Sequence, residues 1–94
     1  MFKIEVTENN EIRLFGRFDA SQVENAKTVF DKVTRSSIVN FKDLEYISSA
    51  GLGVLLMTQK RLRESGNGLK LVNMNKHIRD VFHYAAFETI FEIE

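Results

Sequence analysis

The chain has no cysteine and no proline among its 94 residues. Without cysteine there is no disulfide, no thiolate metal site and no cysteine nucleophile, and nothing points to an oxidising compartment. Charge of one sign is also lacking. Thirteen Lys and Arg balance thirteen Asp and Glu, for a formal net charge of zero. A general binder of nucleic acid or acidic membrane needs a clear basic excess, so neither is expected as a partner. Long apolar runs are missing as well. The longest, Val54 to Met57, falls far short of the ~20 residues a membrane helix requires. The start, "MFKIEVTENNEIRLFG", has no basic segment followed by an apolar core, so no signal peptide is expected and the default location is cytoplasmic.

What is present is ordinary globular composition, 44% hydrophobic and 28% charged, in a length that suits one domain over residues 1–94. "FKIEV" alternates apolar Phe2, Ile4 and Val6 with Lys3 and Glu5, the period of a half-buried strand. "TENNE" is a turn and "EIRLF" repeats the alternation, so the two predict an antiparallel hairpin ending near Gly16. From Ala20 to about Arg35 the apolar positions Val23, Ala26, Phe30 and Val33 take helical steps, with Asp19 or Ser21 as the capping residue. "SIVNF" predicts a short strand from which "KDLEY" leads away. A second helix is expected from about Ser49 to Ser65, stopped at Gly66 with Lys60, Arg61 and Arg63 in its last turns. "LKLVN" is a strand, "NKHIRDVFHYA" a helix with Ile78, Val81, Phe82 and Ala85 on one face, and "TIFEI" a closing edge strand.

The order β-β-α-β-α-β-α-β predicts an α/β fold. Strands alternating with helices favour a mixed sheet, parallel after the hairpin, with right-handed crossovers and the helices mainly on one side. Alternating rather than continuously apolar strands leave the other face only partly covered.

Catalysis finds little support. His77 and His83 are the only histidines and show no metal-ligand spacing such as HExxH, so no metal is expected. A Gly-x-Ser-x-Gly elbow would need glycine where Ile47 stands, and no motif places a general base. "SAGLG" lacks the lysine and spacing of a phosphate-binding loop, and "GNG" at 66–68 reads as a turn. The adjacent hydroxyls of Ser48 and Ser49, at the passage from strand to helix, remain. Either can cap the second helix by accepting from its free amides. A hydroxyl there is also exposed and pre-oriented, and a phosphate added to it lies at the positive end of the helix dipole. On the helix itself Leu52, Leu55 and Leu62 form the core stripe. Val54 and Met57 lie off it, either packed on the third helix or forming the apolar centre of a docking surface.

"DLEYISSAGLGVLL", residues 43–56, resembles the signature of bacterial anti-sigma factor antagonists, the STAS-domain family. That signature runs Asp-Leu-x-aromatic-apolar-Asp-Ser-Ser/Thr-Gly-Leu-Gly. "LFGRFDA", residues 14–20, resembles the family's Leu-x-Gly-x-x-Asp element, and the order of elements is similar throughout. The resemblance implies a STAS-like fold and a regulator rather than an enzyme, with no cofactor of its own. It places the phosphorylated serine on Ser49, with Ser48 as the alternative because it stands where the family has an aspartate. Ala50 replaces the following Ser or Thr. The implied switch surface takes in Asp19, Asp43, Ser48, Ser49, Gly51, Leu52, Val54 and Met57. The implied partners are an anti-sigma factor with serine kinase activity, which would use ATP and Mg2+, and a phosphatase that resets the switch. The alternative is a STAS module that senses or scaffolds without phosphorylation, in a stress-signalling assembly or a lipid-transport complex, or one that binds a nucleotide.

Overall fold

The computed structural model describes residues 1–94. The chain runs β1 (Phe2–Val6), β2 (Glu11–Phe18), a single 3-10 turn (Ala20–Gln22), α1 (Val23–Phe30), β3 (Ser37–Ile47), α2 (Ser49–Arg63), β4 (Leu69–Val72), α3 (Lys76–Tyr84) and β5 (Glu92–Ile93). The five strands form one sheet in the order β1-β2-β3-β4-β5. β1 pairs antiparallel with β2, and the remaining pairs are parallel. Each parallel neighbour is reached through one helix. Crossovers of one hand between successive strands place all three helices on the same face. There the inward-facing side chains of β2, β3 and β4 meet Ala26, Phe30, Leu55, Leu62, Ile78 and Phe82, every one at most 1% exposed. Phe82 packs edge-on against Phe41 and Phe91, with ring centroids 5.9 and 5.8 Å apart.

The opposite sheet face has no helix on it and is covered by its own side chains. Arg17 stacks over the Tyr46 ring at 4.4 Å and Lys3 over Phe15 at 5.3 Å. Such contacts hold long polar side chains flat against a wet sheet.

Several element boundaries differ from the sequence expectation, and of "TIFEI" only Glu92–Ile93 is strand. β2 does not stop near Gly16 but continues to Phe18. Gly16 takes φ +82°, and a Cβ there would sit 1.7 Å from the Met1 carbonyl oxygen. Only glycine lets the strand pass this close to the start of β1. β3 is one strand of eleven residues rather than a short strand with an exit. Its pairing with β2 steps from Arg13↔Asn40 to Phe15↔Asp43, and from Gly16↔Leu44 to Arg17↔Tyr46. Each step holds one extra residue on β3. These two bulges stretch the inward spacing from two to three, so Phe41, Leu44 and Ile47 are all buried while the alternation is lost. α1 ends at Phe30 rather than about Arg35. Past it the amides of Lys32 and Val33 bond three residues back, to Val29 and Phe30, which tightens and closes the helix.

Candidate functional site

The two serines divide the work that either could have done. The Ser48 amide donates to the Phe18 carbonyl at 2.9 Å, tying the end of β3 to the end of β2. Ser48 keeps an extended backbone (φ −88°, ψ 169°), and its Oγ accepts from the Gly51 amide at 3.1 Å. Its carbonyl accepts from Leu52 at 2.9 Å. Ser48 is therefore the cap of α2, satisfying an amide that has no partner within the helix. Ser49 is the first residue of the helix. It is exposed, and its hydroxyl makes no hydrogen bond. No acidic residue sits in the first turn of α2, so its dipole meets only a neutral cap.

Gly51 explains how the helix starts so close to the sheet. A Cβ there would lie 3.0 Å from Ile47 Cγ1 and 3.1 Å from Phe18 Cγ. Gly53, two residues on, has nothing within 4 Å of such a carbon. The first glycine serves packing, and the second leaves room on the outer surface.

Asp19 comes to this end of the domain because Phe18 is bound to Ser48. Its carboxylate accepts from the Ser21 amide at 3.0 Å and from the Ser21 hydroxyl, capping the 3-10 turn. The bond from the Ser21 hydroxyl, helped by the Ser21 amide and the charge of Arg17, holds this carboxyl below the usual aspartate range despite the opposing effect of burial. Asp19 and Ser21, alternatives in the sequence, thus act as a pair.

The other expected site residues are placed differently. Gly51, Leu52 and Val54 are buried, the last two at 4% and 7% exposure. Val54 faces α1 and not the third helix, and with Met57 it lines a groove of about 420 Å3 between α1 and α2. Met57 stands 65% exposed on the lip of that groove. Asp43 is separated from the serines altogether. It lies on the helix-free sheet face, in a polar depression with Arg13, Asn40, Lys42 and Asn73. Sequence reasoning missed Ala50 and Gly53, which share the groove with Met57, and Val23 and Lys27 across from them on α1. The signal was there in the steps of three and four from Ala50 to Gly53 to Met57. No three carboxylate, imidazole or thiol groups converge on a point that could hold a metal ion. His83 is occupied by Glu88, 2.7 Å from its Nδ1.

A family model described as Mlab, STAS domain, matches residues 4–92. The chain is a STAS domain. It is 40% identical over 63 residues to BtrV of Bordetella bronchiseptica, described as a candidate anti-sigma factor antagonist, covering 67% of this chain and 54% of that protein. It is 35% identical over 52 residues to the anti-sigma-B factor antagonist of Bacillus subtilis, covering 55% of this chain and 48% of the relative. The STAS domain thus spans about half the length of these two relatives. Among solved structures, the unphosphorylated anti-sigma factor antagonist SpoIIAA superposes with a TM-score of 0.69 at 25% identity, over 89% of this chain and 83% of that one. An anti-sigma factor antagonist from Mycobacterium paratuberculosis reaches 0.83 at 16% identity, over 99% and 83%, which speaks to the fold alone. No helix of the domain is long and apolar enough to cross a membrane.

Proposed function

We propose that this STAS domain is an anti-sigma factor antagonist switched by phosphorylation at Ser49. The observation that carries the reading is the division between the serines. Ser48 Oγ is engaged by the Gly51 amide, while the exposed Ser49 hydroxyl is free at a helix start with no acidic neighbour in the first turn. A phosphate there adds roughly two negative charges beside free amides, and the fold need not rearrange to accept it. The surface does change, at the point where Ser49, Asp19 and the Met57 lip would meet a partner. The partner is an anti-sigma factor with serine kinase activity, using ATP and Mg2+, and a phosphatase resets the switch. The domain acts by binding and being modified, not by catalysis. Similarity to the Bordetella and Bacillus antagonists supports this reading.

Incubation with a cognate anti-sigma kinase and ATP is expected to add one phosphate, lost in Ser49→Ala and kept in Ser48→Ala. The opposite pattern moves the acceptor to Ser48. The serine at position 48, where the family resemblance has an acid, favours a second reading: a STAS module that scaffolds its assembly unmodified. Intact mass of the protein from its native cells separates the two, since the scaffold carries no phosphate.

A further inference from the structure

We propose that the cavity between the hairpin and the end of α1 binds a small amphiphile with an apolar body and one anionic head, of the medium-chain carboxylate type. This cavity of about 410 Å3 lies at the start of β3, at the other end of that strand from Ser48. Its size is within the range of small-molecule sites. Its walls are Val6, Ile12, Val29 and Val33, and its rim carries Lys32 and Arg35, with no acidic residue anywhere in the lining.

Two features mark it out from ordinary surface relief. Val6 is 59% exposed beside Ile12, Val29 and Val33, in a lining completed by Asn10, Thr34 and Ser37, so hydrocarbon is left facing water. The cations are also unspent. None of the six ion pairs of the domain involves Lys32 or Arg35, and neither side chain makes a hydrogen bond. In a chain whose charges cancel, two unpaired cations at a cavity whose lining holds no acid, with Asp31 the nearest along the chain but outside that lining, form a local field that favours an anion. Arg35 offers the forked donors that match a carboxylate, and Lys32 adds a point charge. The apolar walls then favour a ligand whose head is joined to hydrocarbon, because a bare anion gains nothing from them.

The site is independent of Ser49, so its failure and that of the phosphorylation switch are separable. Octanoate, octanol and acetate are titrated into the 15N-labelled protein. Octanoate should shift the amides of Val6 and residues 29–37 saturably and with one-to-one stoichiometry. Octanol, which keeps the chain without the charge, should bind roughly fivefold more weakly or worse, the scale of two rim charge contacts. Acetate should leave these amides in place. Lys32→Gln combined with Arg35→Gln should weaken octanoate binding by a similar factor, while Lys60→Gln, outside the cavity, should not. Equal binding of octanol and octanoate overturns the proposal. So do octanoate shifts centred elsewhere, an equal loss in Lys60→Gln, or the absence of any saturable shift.

Discussion

The two ends of α2 are built differently, and the contrast shows how exposed, unbonded side chains can sit on a tightly packed helix. The first turn is held by one neutral side-chain cap, and it leaves Ser49 and Ala50 exposed. The second half is bolted to three other segments. Thr58 donates to the Val54 carbonyl at 2.8 Å within the helix. Gln59, only 4% exposed, donates to the Ile90 carbonyl at 2.8 Å and accepts from the Leu69 amide at 2.7 Å. Arg61 reaches across to the end of α1 and the turn after it, donating to the carbonyls of Phe30 and Val33 at 2.9 and 2.7 Å. The contacts that fix α2 to the rest of the fold thus lie at the far end from Ser49.

The largest effect is expected at the fixed end. Gln59→Leu keeps the volume but strands the buried Leu69 amide and the part-buried Ile90 carbonyl, and should cost about 2–4 kcal/mol in urea unfolding. A loss under about 1 kcal/mol would mean that the second half of α2 is held by apolar packing alone. The glycines of the first turns come next, with opposite signs. Gly51→Ala forces a methyl group against Phe18 and Ile47, so that overpacking outweighs the gain in helix propensity by about 1 kcal/mol. Gly53→Ala meets open space and should stabilise by about 0.5–1 kcal/mol. If both stabilise, the helix start is looser than its contacts imply.

The serine pair sharpens the comparison further. Ser48→Ala should cost about 1 kcal/mol through loss of the cap, whereas Ser49→Ala should stay within about 0.5 kcal/mol of the parent. Equal losses would show that both hydroxyls support the helix. The smallest effect is a pH dependence at Asp19. Its folded carboxyl titrates below the ordinary aspartate range, so its contribution is present above the unfolded value and is lost as pH falls through the folded one. The stability difference between the parent and Asp19→Asn should therefore shrink below about pH 4, the midpoint of an ordinary aspartate's titration, and close at lower pH once the folded carboxyl is also protonated. A gap that stays constant down to pH 2 would remove the carboxylate's role.

Much of this was legible from residue order. The alternation in "FKIEV" and "EIRLF", the helical stripes and the strand-helix alternation led directly to the observed order of elements, because each signal is local and each element buries one face. The serine pair stood out for the same reason, as hydroxyls at a strand-to-helix passage. β3 was harder, since two bulges changed its inward period and hid six residues of strand after Phe41. Bulges are set by the partner strand, which a local window does not contain.

The sequence by itself excluded disulfide and thiolate chemistry, set the order of strands and helices, and singled out the two candidate serines. Tertiary structure decided which serine is bound and which is free, because the answer depends on how closely Gly51 brings α2 onto Phe18 and Ile47. It also turned Val54 toward α1 and moved Asp43 to the helix-free face. Those outcomes rest on packing between segments distant in the chain, and no spacing along it encodes them.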